Sequence, residues 1–257
     1  MQAMAGTMWA LGAANKAPAV FSPDQLANLA LWLKADALTL NDGDVVSSWT
    51  DSSANAAHCT QATPTAKPTY KANIKNGKPI LRFDGGDWLS VPTSVFSGVS
   101  SNTVFVVCNA VASATYKNIF TYSYNAFGLG TMVTANNGTP ASKFRYGVGN
   151  STGSVLSYST TDATGWRLLC GVFSDSGNTQ KVYLADAQED SDTNNYTLAF
   201  NANDRPAIGA ARNSADITAS LFAGDMAEII FYSAALSDAD RGSVQTYLAT
   251  KYGITLA

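Results

Sequence analysis

Beyond Pro79, short apolar blocks alternate with turn residues about every ten positions, the spacing of strands and hairpins rather than of helices. The pattern predicts strands near Ile80–Phe83, Trp88–Val91, Val104–Ala110, Asn118–Ser123, Phe127–Val133, Lys143–Gly147 and Ser154–Ser159. Further strands are expected near Arg167–Phe173, Lys181–Ala185, Tyr196–Phe200, Ala207–Gly209 and Leu221–Ala223. Turn signals at Asn136-Asn-Gly138, Gly147-Val-Gly149, Asp175–Asn178 and Asn201–Arg205 separate them. Upstream, Ser22-Pro-Asp-Gln25 reads as one short helical turn leading into a strand at Leu29–Leu33. Asp51 to Lys78 reads as a long polar excursion over one sheet edge. The period changes only near the end. Ala227–Tyr232 is an apolar strand, and Ser237 then caps a helix with Asp238 and Asp240 in its first turn. Val244, Tyr247, Leu248 and Lys251 follow at helical spacing, and Gly253 stands where a left-handed C-cap is expected. The pattern is all-β: a two-sheet antiparallel sandwich carrying one C-terminal amphipathic helix.

Two separated blocks carry a family resemblance. The later one runs Gly224-Asp-Met-Ala-Glu228, then Ala235-Leu-Ser-Asp-Ala-Asp-Arg241, Tyr247-Leu248 and Lys251-Tyr-Gly-Ile254. The earlier one is Leu31-Trp-Leu-Lys-Ala-Asp36, Val46-Ser-Ser-Trp-Thr-Asp51 and Gly77-Lys-Pro-Ile-Leu-Arg-Phe-Asp-Gly85. In order and spacing they resemble laminin-G-like, concanavalin A-like jelly-roll domains of the kind found in phage structural proteins. The resemblance implies a jelly roll over roughly Ala30 to Ile254. It divides the chain into an apolar arm, residues 1–20, and a laminin-G-like domain, residues 21–257. Such folds host many activities, so function has to come from the site.

Composition narrows the classes. Charged residues make up 14% of the chain, against about 25% in ordinary globular domains. Ser, Thr, Asn and Gly replace them, as in extracellular or virion β-proteins. A net charge of -3 creates no basic field, which excludes nucleic acid as the main partner. Cys59, Cys108 and Cys170 are odd in number and lack metal-knuckle spacing. Two of them lie in predicted strands as small apolar fillers, which fits synthesis in a cytoplasm. Residues 1–20 contain Met4, Met8, Trp9 and Leu11 among Ala and Gly, with no charge before Lys16. They lack the basic start and long apolar run of a signal peptide and are too short and Gly-rich to span a membrane. Such termini are usually disordered leaders. The apolar content points instead to docking, on a neighbouring subunit in preference to the arm's own domain.

Candidate chemistry is sparse. Concanavalin A-like glucanases pair two Glu on one strand, whereas here the only Glu are Glu189, expected in a solvated turn, and Glu228, expected to be structural. His58 is the single histidine and cannot pair with the adjacent Cys59 in an extended segment; a loop-anchoring role is expected for it. Asp190-Ser-Asp192-Thr-Asn194 resembles the start of a calcium loop but lacks its Gly and closing Glu. No cofactor is expected other than Ca2+ at these three residues, with Asp42, Asp44, Asp175 and Asn178 as alternatives on other turns. Tyr116, Tyr122, Tyr124, Phe127 and Tyr146 concentrate aromatics near Asn118 and Asn125. Facing outward, Tyr116, Tyr122, Tyr124 and Asn125 would form a carbohydrate platform; facing inward, they fill the core. The expected function is a non-catalytic virion component (capsid decoration, fibre or tail) held to other subunits or copies of itself by its arm, with glycan adhesion as an added role. The alternative is a lectin-like module of a bacterial surface protein. Neither reading involves a membrane.

Overall fold

The computed structural model describes residues 21–111, 117–122, 130–135, 143–150, 153–162, 164–198, 205–212 and 218–257. The first six strands are β1 (Leu29–Lys34), β2 (Ser48–Trp49), β3 (Cys59–Thr60), β4 (Thr69–Lys75), β5 (Lys78–Asp84) and β6 (Leu89–Ser90). Then come β7 (Asn102–Ala110), β8 (Lys117–Thr121), β9 (Gly130–Ala135), β10 (Phe144–Asn150), β11 (Gly153–Tyr158) and β12 (Gly165–Ser174). The remainder is β13 (Thr179–Leu184), β14 (Ala187–Thr193), β15 (Ala207–Ile208), β16 (Ala211–Arg212), β17 (Thr218–Ala219), β18 (Ala223–Tyr232) and helix α1 (Asp238–Tyr252).

Sixteen of these strands form two antiparallel sheets, the jelly-roll sandwich that the pattern and the resemblance predict, and β16 pairs with β17 as a separate two-stranded sheet. The back sheet has the order β14-β13-β12-β7-β18-β5-β4. Its strand β18 pairs with β5 through Ala223–Met226 and with β1 through Glu228–Tyr232. The front sheet has the order β11-β10-β9-β8-β15-β6-β3-β2. Back-sheet strands are apolar at both parities because both of their faces are covered. In β7, Val104, Val106 and Cys108 enter the core between the sheets, while Phe105 and Val107 lie under α1 with Val244, Leu248 and Tyr252. This double burial explains the unbroken apolar run of β7.

Helix α1 begins where expected: the Ser237 hydroxyl accepts from the Asp240 backbone N–H at 3.1 Å. It ends at Gly253, whose φ of 57° and ψ of 49° are left-handed. Pro23–Gln25 is a single 3-10 turn in which the Ser22 side chain makes no cap. All three cysteines are free and buried, and burial pushes the Cys108 and Cys170 thiols far up.

Two strands differ from the sequence expectation. The polar excursion contains β4, a hairpin partner of β5. The stretch around Glu189, expected to be a turn, is the edge strand β14. Tyr196–Leu198, within a predicted strand, carries no strand. Both misjudged strands are rich in polar residues because an edge strand buries little of its surface.

Candidate functional site

The two resemblance blocks meet at one buried cluster beneath α1. Glu228, 1% exposed, accepts from Trp32 Nε1 at 2.6 Å, Lys251 Nζ at 2.7 Å and the Tyr252 hydroxyl at 2.8 Å. Lys251 also reaches Asp36 at 2.8 Å. Trp32 and Asp36 belong to the early block, Glu228 and Lys251-Tyr252 to the late one. The cluster ties strand, helix and N-terminal segment together, and burial first, then the Glu228 charge, holds the Tyr252 and Tyr247 hydroxyls far above their ordinary range. A buried carboxylate satisfied by three donors is a lock, and it has no open side for a substrate.

Asp51 and His58 form a second structural knot. The Asp51 carboxylate accepts from Trp32 N, Ser53 N, Ser53 Oγ and Ala57 N at 2.6–2.9 Å. His58 Nδ1 accepts from Asp51 N at 3.0 Å, the loop-anchoring role expected of it.

Asp190, Asp192 and Asn194, the calcium candidates, stitch the two sheets together along the open side of the sandwich. Asp190 accepts from Tyr158 N at 3.0 Å and Asp192 from Ser157 Oγ at 2.6 Å. Asn194 Nδ2 donates to Val148 O at 3.1 Å and to Gln180 Oε1 at 2.9 Å, and its own oxygen accepts from Tyr196 N. Gln180 completes the stitch by donating to Ser157 Oγ at 2.8 Å. Among the described residues, no three His, Cys, Asp or Glu side chains converge as a metal set. Glu189 binds the Thr160 and Thr161 hydroxyls and N–H groups. Burial raises its pKa, but those hydrogen bonds outweigh it and the net shift is downward.

The aromatic concentration divides between the core and the undescribed loops. Tyr122 is 2% exposed, its ring edge-on to Phe96 with centroids 4.5 Å apart. Tyr146 is buried, and its hydroxyl donates to Asn102 Oδ1 at 2.8 Å. Both rings face inward, so neither can contribute to an exposed platform. Tyr116, Tyr124, Asn125 and Phe127 lie outside the described residues, as do Met4, Met8, Trp9 and Leu11 of the arm.

A different set occupies the outward face of the front sheet. Strand β10 alternates: Phe144, Tyr146 and Val148 point into the core, leaving Arg145, Gly147 and Gly149 on the other side. Register places Arg145 and Asn118 on either side of Thr134. Trp88 and Ser90 flank the core residue Leu89 and are half-buried. The Arg212 guanidinium stacks 4.0 Å above the Trp88 ring and donates to Ser90 Oγ at 3.3 Å. One aromatic, two guanidiniums, an amide and a hydroxyl therefore lie on one side of the sheet; Trp88 and Ser90 are half-buried, whereas Asn118, Arg145 and Arg212 are buried. Trp88 and Arg145 were legible as outward residues of alternating strands, but Arg212 lies in a two-residue strand with no periodicity to read.

Among the described residues, the nearest approach to a catalytic carboxylate pair is Asp84 with Asp87 in the Phe83-Asp-Gly-Gly-Asp-Trp88 turn. Asp87 Oδ2 accepts from Asp84 N at 2.9 Å, and Asp84 Oδ1 from Gly86 N at 2.7 Å. Burial first, and then the neighbouring Asp84 carboxylate, raise Asp87 to about 6. Both side chains close the same tight turn, which leaves no sugar-sized gap between them.

No curated protein matches the chain. Among solved structures, it is similar to domain 4 of AbnA, a GH43 extracellular arabinanase from Geobacillus stearothermophilus, in complex with arabinotriose. The TM-score is 0.61 at 16% identity, over 85% of this chain and 98% of that one. The binding domain of Paraclostridial Mosquitocidal Protein 1 gives a TM-score of 0.61 at 12% identity, over 88% of this chain and 53% of that one. The binding domain of Botulinum Neurotoxin DC in complex with SialylT gives 0.57 at 10% identity, over 88% and 52%. The chain thus spans about half the length of the two toxin binding domains. At these identities the likeness is one of fold. Residues 83–240, more than half of the sequence, match the model of the concanavalin A-like lectin/glucanases superfamily, and the chain belongs to that family.

Proposed function

We propose that the chain is a non-catalytic carbohydrate-binding module whose adhesive surface is the outward face of the front sheet. The observation that carries this reading is the half-buried Trp88 ring stacked with Arg212 beside Ser90. Aromatic carbon presents a flat apolar surface to sugar C–H groups, and fixed guanidinium, amide and hydroxyl groups at its edge supply directional hydrogen bonds. Asn118 and Arg145 lie on the same side of β8 and β10 but are buried, so the accessible part of this surface is Trp88 with Ser90. The fold supports the reading: the arabinanase domain was solved with arabinotriose and the neurotoxin domain with SialylT. The absence of a glucanase-type carboxylate pair among the described residues argues against hydrolysis.

A glycan array followed by titration calorimetry tests it. Trp88→Ala and Arg212→Lys should each weaken binding of the captured glycan by about tenfold or more, equivalent to 1.4 kcal/mol. Arg212→Lys keeps the charge and removes the planar stack, so its loss of binding cannot be attributed to net charge. Wild-type affinity in both folded variants, or no glycan captured by the full chain, would sink the proposal.

Placement on a virion, as a decoration, fibre or tail component, is a second reading. It is supported by the apolar residues 1–20, which carry no charged side chain before Lys16. A variant lacking Met1 to Val20 should remain soluble and fail to join its assembly; full incorporation refutes this reading. The corresponding location for a surface lectin is the bacterial cell surface.

A further inference from the structure

Trp88 stands one residue before β6, so no strand pairing holds its peptide. Residues 61–66, within the polar excursion, take both of its main-chain groups instead. The Trp88 N–H donates to Ala66 O at 3.1 Å, and the Trp88 carbonyl accepts from Gln61 Nε2 at 2.9 Å. Gln61 is 3% exposed, and its amide is used at both ends. Its Oε1 accepts from Thr63 N at 2.9 Å, and its own main-chain N–H donates to Ser47 O at 2.9 Å. Ala66 is fixed as well: Pro64–Ala66 is one 3-10 turn, closed by Ala66 N donating to Thr63 O at 3.1 Å. A buried amide is costly unless both of its ends are satisfied. Here one end serves the loop, and the other reaches across 27 residues of sequence to the aromatic residue.

We propose that Gln61 is a positioning residue for the Trp88 platform: its amide pins the Trp88 peptide, so that the ring is presented at one height and tilt before a sugar arrives. The inference rests on the glycan surface proposed above and adds to it a residue that stays buried behind the ring. With the peptide held on both sides, only the two side-chain torsions of Trp88 remain free. Arg212, stacked 4.0 Å from the ring centroid, restrains those. A platform fixed in advance loses little freedom on binding, which is the physical advantage of preorganisation. Without the Gln61 bond, the turn that carries Trp88 is tied to residues 61–66 through Ala66 O alone.

The full chain labelled with 5-fluorotryptophan gives one 19F resonance for each of its five tryptophans, and Trp88→Phe identifies that of Trp88. Gln61→Met keeps the length of the side chain and removes both of its hydrogen bonds. Gln61→Glu keeps an acceptor for Thr63 N and loses only the donor to Trp88, and it carries the same test where Gln61→Met does not fold. The Trp88 resonance should move or broaden beyond its linewidth, while those of Trp32 and Trp166 on the back sheet stay in place. Affinity for the glycan captured by the array should fall by about three- to tenfold, the weight of one lost hydrogen bond. A merely structural role would lower the denaturation midpoint and leave both readouts of the folded protein alone. An unmoved Trp88 resonance overturns the proposal, and so does a moved one with wild-type affinity. A wild-type chain that captures no glycan sinks the binding surface itself, and this role with it.

Discussion

The outward faces of the two sheets differ in what covers them. Where α1 covers the back face, the residues Phe105, Leu168, Ile230 and Tyr232 are buried, and the buried carboxylate Glu228 is satisfied by three donors. The front face has no α-helix over it among the described residues; its strands place Arg145, Gly147 and Asn118 on that side, where they are buried, beside the half-buried Trp88 and Ser90. The two faces arise from the same alternation of side chains. One has been given a lid and a buried ionic lock, and the other keeps polar groups arranged around an aromatic ring. If the proposed glycan surface is correct, stability is concentrated behind and recognition in front, and the two should separate experimentally.

Glu228→Ala is expected to give the largest effect. It leaves the Trp32 and Tyr252 donors buried without their acceptor and Lys251 with Asp36 as its one remaining carboxylate, costing about 3 kcal/mol in chemical denaturation. Glycan affinity of the folded fraction should stay at the wild-type value, since the sites are far apart and independent; a parallel loss of binding would break the comparison. Next comes Gly171→Ala. A methyl there would run into the Tyr146 ring, which reaches across from the front sheet, and overpacking of this kind costs about 1–3 kcal/mol. An unchanged midpoint would mean that the sheets are not pressed together at that point. Ser237→Ala removes the α1 cap and should lower stability by about 1 kcal/mol, again without touching front-face binding.

A separate prediction concerns pH. Asp87 is raised to about 6 from an ordinary 3.8, so the folded chain holds this proton more tightly than the unfolded one. Its stabilising contribution is therefore complete below about 4 and is lost as pH rises through 6. Asp87→Asn keeps the acceptor for Asp84 N and does not titrate. Denaturation curves at pH 4 and pH 7 should show a smaller fall in the variant than in the wild type; parallel profiles would remove Asp87 from the account.

Much of the fold was legible because burial on both faces leaves a strong trace. The apolar run of β7 and the Ala-Glu-Ile-Ile-Phe-Tyr stretch of β18 announce back-sheet strands, and Ser237 and Gly253 mark both ends of α1. Less legible were β4 and β14, since edge strands such as Ala187–Thr193 carry no hydrophobic signature. The Asp190, Asp192 and Asn194 spacing suggested a cation loop because alternate polar residues on a strand and ligands in a loop can share one pattern. Only the approach of edge strand β14 to β11 of the facing sheet shows that these groups bind Tyr158, Ser157 and Gln180. Tyr122 and Tyr146 were ambiguous for a related reason: a period of two tells which residues share a face, not which face meets the core.

By itself, the sequence determined the all-β class, the capped C-terminal helix, the family and the lack of a paired glutamate site. Each of these depends on residue identity and local period. The tertiary structure decided which side of each strand is outside, how Trp32 and Asp36 come to meet Glu228 and Lys251, and that Trp88 and Arg212 share one surface. Those facts depend on contacts between segments more than a hundred residues apart, whose pairing is settled by the closing of the sandwich and leaves no local period in the chain.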